Sequence, residues 1–307
     1  MPPRDIEELC RAIVPGAGSV AIEPLGAGLL SETYRVERSG EKYTLKIAAA
    51  HRPDLGMDLA WEARLLERAA AAGLAPRVCY CDPASTVLLA QWVPGRPWSQ
   101  DAKDPANLRR IAALLRRVHA LEIPLPPRAI SPSRWIELHA AALAEQPLTA
   151  DAECKAELKL VDPRLRAAAA ARVKELAGFA PAPLVVCHSD LHALNLIEQN
   201  DALILLDWEY AHAADPFWDL ASWSANNDLQ AESQRQLLSD YRQGSALAGD
   251  WQRFRLLLWL YDYVCLLWSQ LYLCARVEAA RGEGAKAVAE RARLLDARLH
   301  LTAHYAA

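Results

Sequence analysis

The chain has 307 residues, 52% of them apolar and 23% charged. That composition supports a packed core and excludes a disordered, collagen-like or disulfide-scaffold protein. With 34 basic against 38 acidic residues and a net charge of −4, no global positive field points to nucleic acid or an anionic membrane as partner. By length the chain is one large domain or two modest ones.

Seven cysteines, an odd number at irregular spacing with no CxxC pair, read as core thiols in a reducing cytosol rather than disulfides or a metal site. The opening MPPRDIEELC has no apolar run of the secretory kind, so a cytoplasmic location is expected. Residues 254–275 are long and apolar enough to cross a bilayer, but Asp262 lies near their middle. An acid there is costly in lipid, so a buried core helix is expected and no membrane span.

In chain order, residues 19–47 alternate as strands, with Tyr43, Leu45 and Ile47 on one side and Thr44 and Lys46 on the other. A glycine turn, Gly26-Ala27-Gly28, separates two strand-like runs. Residues 58–72 predict a helix with Leu59, Ala63, Leu66 and Ala70 inward, stopped by Gly73. Strand-like runs follow at 77–81 and 86–93, and Pro94-Gly95 breaks the pattern. An amphipathic helix is expected over 105–121, facing inward with Leu108, Ile111, Leu115 and Val118. A proline-rich loop spans 123–133, and 134–177 is mainly helical. Short buried strands are expected at 184–187 and 203–207, and helices after 216. The expected fold class is α+β, with a small β-rich lobe over 1–93 and a larger, mainly helical lobe over 94–307.

The stretch His188-Ser189-Asp190-Leu191-His192-Ala193-Leu194-Asn195, followed by Leu205-Leu206-Asp207, has the form H-x-D-L-x-x-x-N and then an acid after an apolar strand. Phosphoryl transfer to a hydroxyl needs a carboxylate to accept the hydroxyl proton, here Asp190. It also needs hard oxygen ligands for Mg2+, here Asn195 and Asp207. A tight β-hairpin between those two would return both to one mouth. Upstream, the glycine turn with Ser31 is placed to cover phosphates, Lys46 sits on a strand and Glu62 on the next helix, in the order of a Lys–Glu pair that orients ATP. The backbones of Gln91 and Val93, at the end of the last strand of the small lobe, are candidates to bond adenine.

These residues resemble the aminoglycoside phosphotransferase and choline kinase superfamily, which has a protein-kinase-like, two-lobed fold. The likeness rests on HSDLHALNLI (188–197), LLDWEYAHAADPFWDLASW (205–223) and the Lys46/Glu62 pair. It is strongest to bacterial choline kinase-like proteins, and thiamine kinase shares the Asp-Trp-Glu-Tyr-Ala part. The resemblance implies ATP and Mg2+ as cofactors. It implies Asp190 as catalytic base, Gly28, Ser31, Lys46 and Glu62 on the nucleotide, Asn195 and Asp207 on the metal, and His188 and Asp219 as supports of the catalytic loop. It also implies a small-molecule alcohol as acceptor, choline or ethanolamine first, with thiamine or an amino sugar or aminoglycoside as the alternative.

Six of the ten tryptophans fall between 208 and 268, and aromatic faces attract quaternary ammonium. Most of these are expected in the core. The resemblance places Tyr210 and Trp268 toward the acceptor, and it makes Asn226 and His192 further candidates there. Cys265 stands where relatives have a second Trp, and Asn226 where an acid is expected; both departures weaken a choline-specific site. A second hypothesis of a different class is a pseudokinase that binds a metabolite without turnover. A protein kinase is disfavoured by the absence of Asp-Phe-Gly and Ala-Pro-Glu.

Overall fold

The computed structural model describes residues 5–27, 31–48, 57–145, 162–244, 247–275 and 283–301. In chain order these form α1 (Ile6–Ile13), β1 (Ala21–Ala27), β2 (Ser31–Arg38), β3 (Glu41–Ala48), α2 (Leu59–Ala71), β4 (Val78–Asp82), β5 (Val87–Gln91) and β6 (Arg96–Pro97). Then come α3 (Pro105–His119), α4 (Pro132–Ala144), α5 (Pro163–Leu176), β7 (Val185–Cys187), β8 (Leu196–Gln199), β9 (Ala202–Leu205) and β10 (His212–Ala214). Four helices close the order: α6 (Phe217–Asn226), α7 (Ala231–Arg242), α8 (Ala248–Ala275) and α9 (Glu283–His300).

Helix starts are written in cap-proline pairs. Asp104-Pro105, Ser131-Pro132 and Asp162-Pro163 each put an accepting side chain at the cap and a proline where its missing N–H costs nothing. The Ser131 cap starts α4 at Pro132, two residues before the position expected from the sequence.

Two compact units interleave along the chain. The first comprises residues 1–99, 121–128 and 193–211; the second comprises 100–120, 129–192 and 212–307. In the first, an antiparallel sheet runs in the order β1-β2-β3-β5-β4. Its buried face (Val36, Tyr43, Leu45, Val87 and Leu89) is covered by Cys10 and Val14 of the α1 segment. Tyr43 and Leu45 face that core, which turns Lys46 to the other side of β3. The expected turn at Gly26 begins later: β1 pairs with β2 through Gly26↔Thr33 and Ala27↔Glu32, after a bulge between Pro24 and Gly26. Gly28 lies outside the described residues.

Helix α2 buries Leu59, Trp61, Glu62, Leu65, Leu66 and Ala69. The expected stripe is therefore turned, with Ala63 and Ala70 only half-buried. Its end is as expected. Gly73 takes φ +67°, and the N–H groups of Gly73 and Leu74 return to the carbonyls of Ala70 and Ala69, satisfying the last turn. The hairpin β8–β9 belongs to this unit and pairs with β6. It is tied to the α2 end by a Leu205 N–H to Leu74 carbonyl bond of 2.8 Å.

The second unit is mainly helical, with a two-stranded β10-β7 sheet. Its longest helix, α8, is long and apolar enough to cross a bilayer, yet most of that length is buried. Asp262, fully buried in α8, is ion-paired with Arg298 of α9, which explains how an acid sits in so apolar a run. Among the described residues Cys10, Cys79, Cys81, Cys187, Cys265 and Cys274 are free thiols.

Replacing Gly73 by alanine puts a Cβ in the left-handed region and should lower stability by about 1–2 kcal/mol. Urea unfolding reads this as a lower midpoint at unchanged slope; an unchanged midpoint would remove the helix stop from the account.

Candidate active site

The first unit gathers one ammonium and three carboxylates. Lys46 Nζ lies 3.5 Å from Glu62 Oε1 and 2.7 Å from Glu209 Oε2, and it also pairs with Asp207 Oδ1. Lys46 is 11% exposed, Glu62 2% and Glu209 8%, whereas Asp207 is 39% exposed. The chain builds this meeting with two ties. The Trp61 indole, next to Glu62, donates to the Ala211 carbonyl at 2.8 Å. The Leu206 N–H donates to the Asn195 carbonyl at 2.9 Å, so Asn195 and Asp207 leave the same end of the β8–β9 hairpin. Asp207 itself adopts φ +59°. Three carboxylates around one ammonium leave two negative charges over, on hard oxygen donors that suit Mg2+. The residues thus fit a Mg2+–nucleotide pair. Lys46 and Glu62 meet as the sequence predicts, and Glu209 joins them directly.

Ser31 opens β2 opposite Ala48. The N–H of Gln91 donates to the Arg77 carbonyl at 2.8 Å, so that N–H is already committed within the sheet edge. Val93 lies past the strand end, and among the described residues its backbone makes no bond to another backbone group. Tyr210, in the same unit, is half-buried beside Glu209.

The second unit holds the loop with Asp190. Asp219, fully buried at the start of α6, accepts from the backbone N–H groups of His188 (2.9 Å) and Ser189 (2.7 Å) and bonds His119 Nε2 at 3.1 Å. Burial pushes the Asp219 carboxyl up, but the His119 hydrogen bond and the surrounding charges outweigh it and hold it below its ordinary value. Ser189 takes φ +70°, a turn that this double acceptance stabilises. Farther along α6, Ser222 Oγ accepts from the Leu191 N–H at 2.8 Å, and the Asn226 amide donates to the Leu191 carbonyl at 3.1 Å. The Tyr261 hydroxyl donates to the Ser189 carbonyl at 3.2 Å. The backbone on both sides of Asp190 is therefore fixed by side chains of α6 and α8.

Asp190 is 29% exposed, and His192 Nε2 stands 3.4 Å from its Oδ2. Burial raises the Asp190 carboxyl, but the hydrogen bond and charge of His192, together with the charge of Arg291, bring it below its ordinary value. The lowered value favours its ionised, accepting form. His192 thus works on Asp190, and Asn226 works on the loop backbone. His188 is fully buried, and its Nδ1 accepts from the Asp190 N–H at 3.3 Å.

Five of the six tryptophans between 208 and 268 are core: Trp208, Trp218, Trp223, Trp251 and Trp259 are each at most 9% exposed. Trp268 is half-buried and stacks on Tyr272 at 5.5 Å. Sequence reasoning missed Ser222, Tyr261, His119 and Arg291 as partners of the loop. One signal was present. Asp219, Ser222 and Asn226 stand at i, i+3 and i+7 of a helix otherwise rich in apolar residues, and so share one face.

The sequence model of the phosphotransferase enzyme family matches residues 21–257. Protein LicA of Haemophilus influenzae is 38% identical over 55 residues, 18% of this chain and 21% of that protein. The thiamine kinase of Shigella boydii is 42% identical over 62 residues, 20% of this chain and 21% of that protein. The chain thus matches about a fifth of the length of these curated relatives. The fold is similar to a choline/ethanolamine kinase family protein of Mesorhizobium loti (TM-score 0.69, 24% identity, 93% of this chain and 91% of that one). It is likewise similar to the choline kinase LicA of Streptococcus pneumoniae (TM-score 0.72, 22% identity, 95% and 97%). The protein-kinase-like α+β architecture follows from these likenesses.

Replacing His192 by alanine removes the leading support for the ionised Asp190. The Asp190 carboxyl, followed by carbon NMR against pH, should titrate below the ordinary carboxylate range in the unaltered chain and move up in His192→Ala. An unmoved midpoint would separate His192 from Asp190.

Proposed function

The chain belongs to the phosphotransferase enzyme family, and we propose that it transfers the γ-phosphoryl of MgATP to the hydroxyl of a small alcohol. The Lys46 cluster carries this reading. It combines a nearly buried ammonium for the phosphates, a buried Glu62 that holds it, and carboxylate oxygens for Mg2+. Asn195, whose carbonyl accepts from the Leu206 N–H beside Asp207, follows Asp190 by five positions in the chain.

In this reading Lys46 binds the ATP phosphates, oriented by Glu62. Asn195 and Asp207 hold Mg2+, which when bound neutralises phosphate charge. Gly28 and Ser31 serve the phosphates, and the Gln91 carbonyl and Val93 backbone bond adenine. Asp190 accepts a hydrogen bond from the acceptor hydroxyl. As the new O–P bond forms and the bond from the γ-phosphorus to the ADP oxygen breaks, the hydroxyl proton passes to Asp190 and then to water. Residues 1–93 serve the nucleotide and 94–307 supply the base and the acceptor site. The hairpin residues 193–211 pack with the nucleotide unit.

Amine-bearing alcohols come first as acceptors: choline or ethanolamine, with thiamine or an amino sugar or aminoglycoside as the alternative. The names of the relatives support this order, as does the half-buried Trp268, whose face suits a cation. A cytoplasmic location is part of the same reading.

Asp190→Asn should lower kcat by roughly 10²–10⁴-fold while leaving nucleotide affinity near its original value, read as ADP release with each acceptor. An unaffected rate would sink the assignment. Nucleotide binding without turnover on any alcohol would favour the pseudokinase reading.

A further inference from the structure

Helix α9 packs on α8 through Val288, Leu295 and Leu299, each at most 5% exposed. Arg291 falls three residues after Val288 and four before Leu295, so this cation occupies a slot on the packed face of the helix. Its Nη2 donates to Asn226 Oδ1 at 2.5 Å and lies 4.0 Å from Cys265 Sγ. Arg298, two turns along the same helix, makes the contrast. It meets the buried carboxylate of Asp262, whereas Arg291 meets a neutral amide and a thiol, and among the described residues no carboxylate forms an ion pair with it.

The position of that charge matters because of what Asn226 does. Its amide holds the carbonyl of Leu191, the residue after Asp190, and the Tyr261 hydroxyl at 3.2 Å. One side chain therefore links Arg291 to the catalytic loop. Arg291 remains solvent-accessible, and its positive charge contributes to keeping Asp190 ionised. Burial of the thiol pushes Cys265 up to about 11, so the thiol stays neutral and does not cancel the guanidinium. A guanidinium has five N–H donors in a planar fork that matches carboxylate and phosphate oxygens. One nitrogen is committed to Asn226, and the others remain for a ligand.

We propose that Arg291 binds an oxyanion of the acceptor, a carboxylate or phosphate on the molecule whose hydroxyl is phosphorylated at Asp190. This rests on the phosphotransferase reading and revises the order of its acceptors. A bare cation such as choline meets repulsion at Arg291. An alcohol that adds an oxyanion to the amine keeps the aromatic contact and gains an ion pair.

Matched acceptor pairs test this with the full chain and MgATP: serine against ethanolamine, which differ by one carboxylate, and glycerol 3-phosphate against glycerol, which differ by one phosphate. The proposal expects kcat/KM at least tenfold higher for the oxyanion-bearing member of at least one pair, and the pair that responds identifies carboxylate or phosphate. Arg291→Glu should raise the KM of that member at least tenfold and turn the preference toward ethanolamine or choline. Less than a tenfold advantage for the oxyanion in both pairs overturns the proposal on the unaltered protein alone. A preference that Arg291→Glu leaves in place also overturns it. ATP consumption with choline or ethanolamine only would defeat this inference and leave the phosphotransferase reading standing; consumption with no alcohol would defeat both.

Discussion

Lys46 is nearly buried, and burying an ammonium is costly unless it is paired and hydrogen-bonded. Glu62 from α2, and Asp207 and Glu209 from the segment after β9, meet that requirement. Much of the first unit follows from the need to bring them together. Strand β3 turns Lys46 away from the core, α2 carries Glu62 inward beside Trp61, and the Ala211 carbonyl receives the Trp61 indole. The hairpin β8–β9 completes the set with Asp207 at its exit. The excess of negative oxygen over positive nitrogen gives the cluster its suitability for a divalent cation.

The second unit solves a different problem. A carboxylate on an irregular loop, with buried His188, Ser189 and Leu191 around it, must keep one orientation. The loop around Asp190 contains a left-handed residue, Ser189, and has little regular structure of its own. Its N–H and C=O groups are satisfied by Asp219, Ser222, Asn226 and Tyr261 instead of by a strand or helix partner. The buried Asp219 and Ser222 on the otherwise apolar α6 are thus accounted for by the backbone of one loop. His119 extends the network by bonding both Asp219 and the Tyr241 hydroxyl.

Much of this was legible in the sequence because several weak signals occur in the right order. A strand lysine, a helix glutamate and the H-x-D-L-x-x-x-N stretch with its later aspartate together imply the nucleotide cluster and the catalytic loop. The strand and helix order followed from period and glycine stops. What was not legible depends on long-range packing. Alanine gives no sense of direction, so the stripe of α2 was placed on Ala63 and Ala70 when Leu65 and Ala69 face inward. Glu209 follows a tryptophan in a short stretch whose backbone turns back on Lys46, and no local pattern announces that pair. Arg291 stands in a helix with other arginines, and the local sequence does not distinguish it from a solvated one. Only the packing of α9 on α8 sets its guanidinium on Asn226, 65 residues earlier in the chain.

The central claim is that the Lys46 cluster is a site for nucleotide bound through Mg2+. Calorimetric titration of ATP into the protein, with Mg2+ and with a chelator, tests it most directly. The account predicts that Mg2+ tightens ATP binding at least tenfold and that Asp207→Asn removes most of that gain. ATP affinity indifferent to both Mg2+ and Asp207→Asn would contradict it.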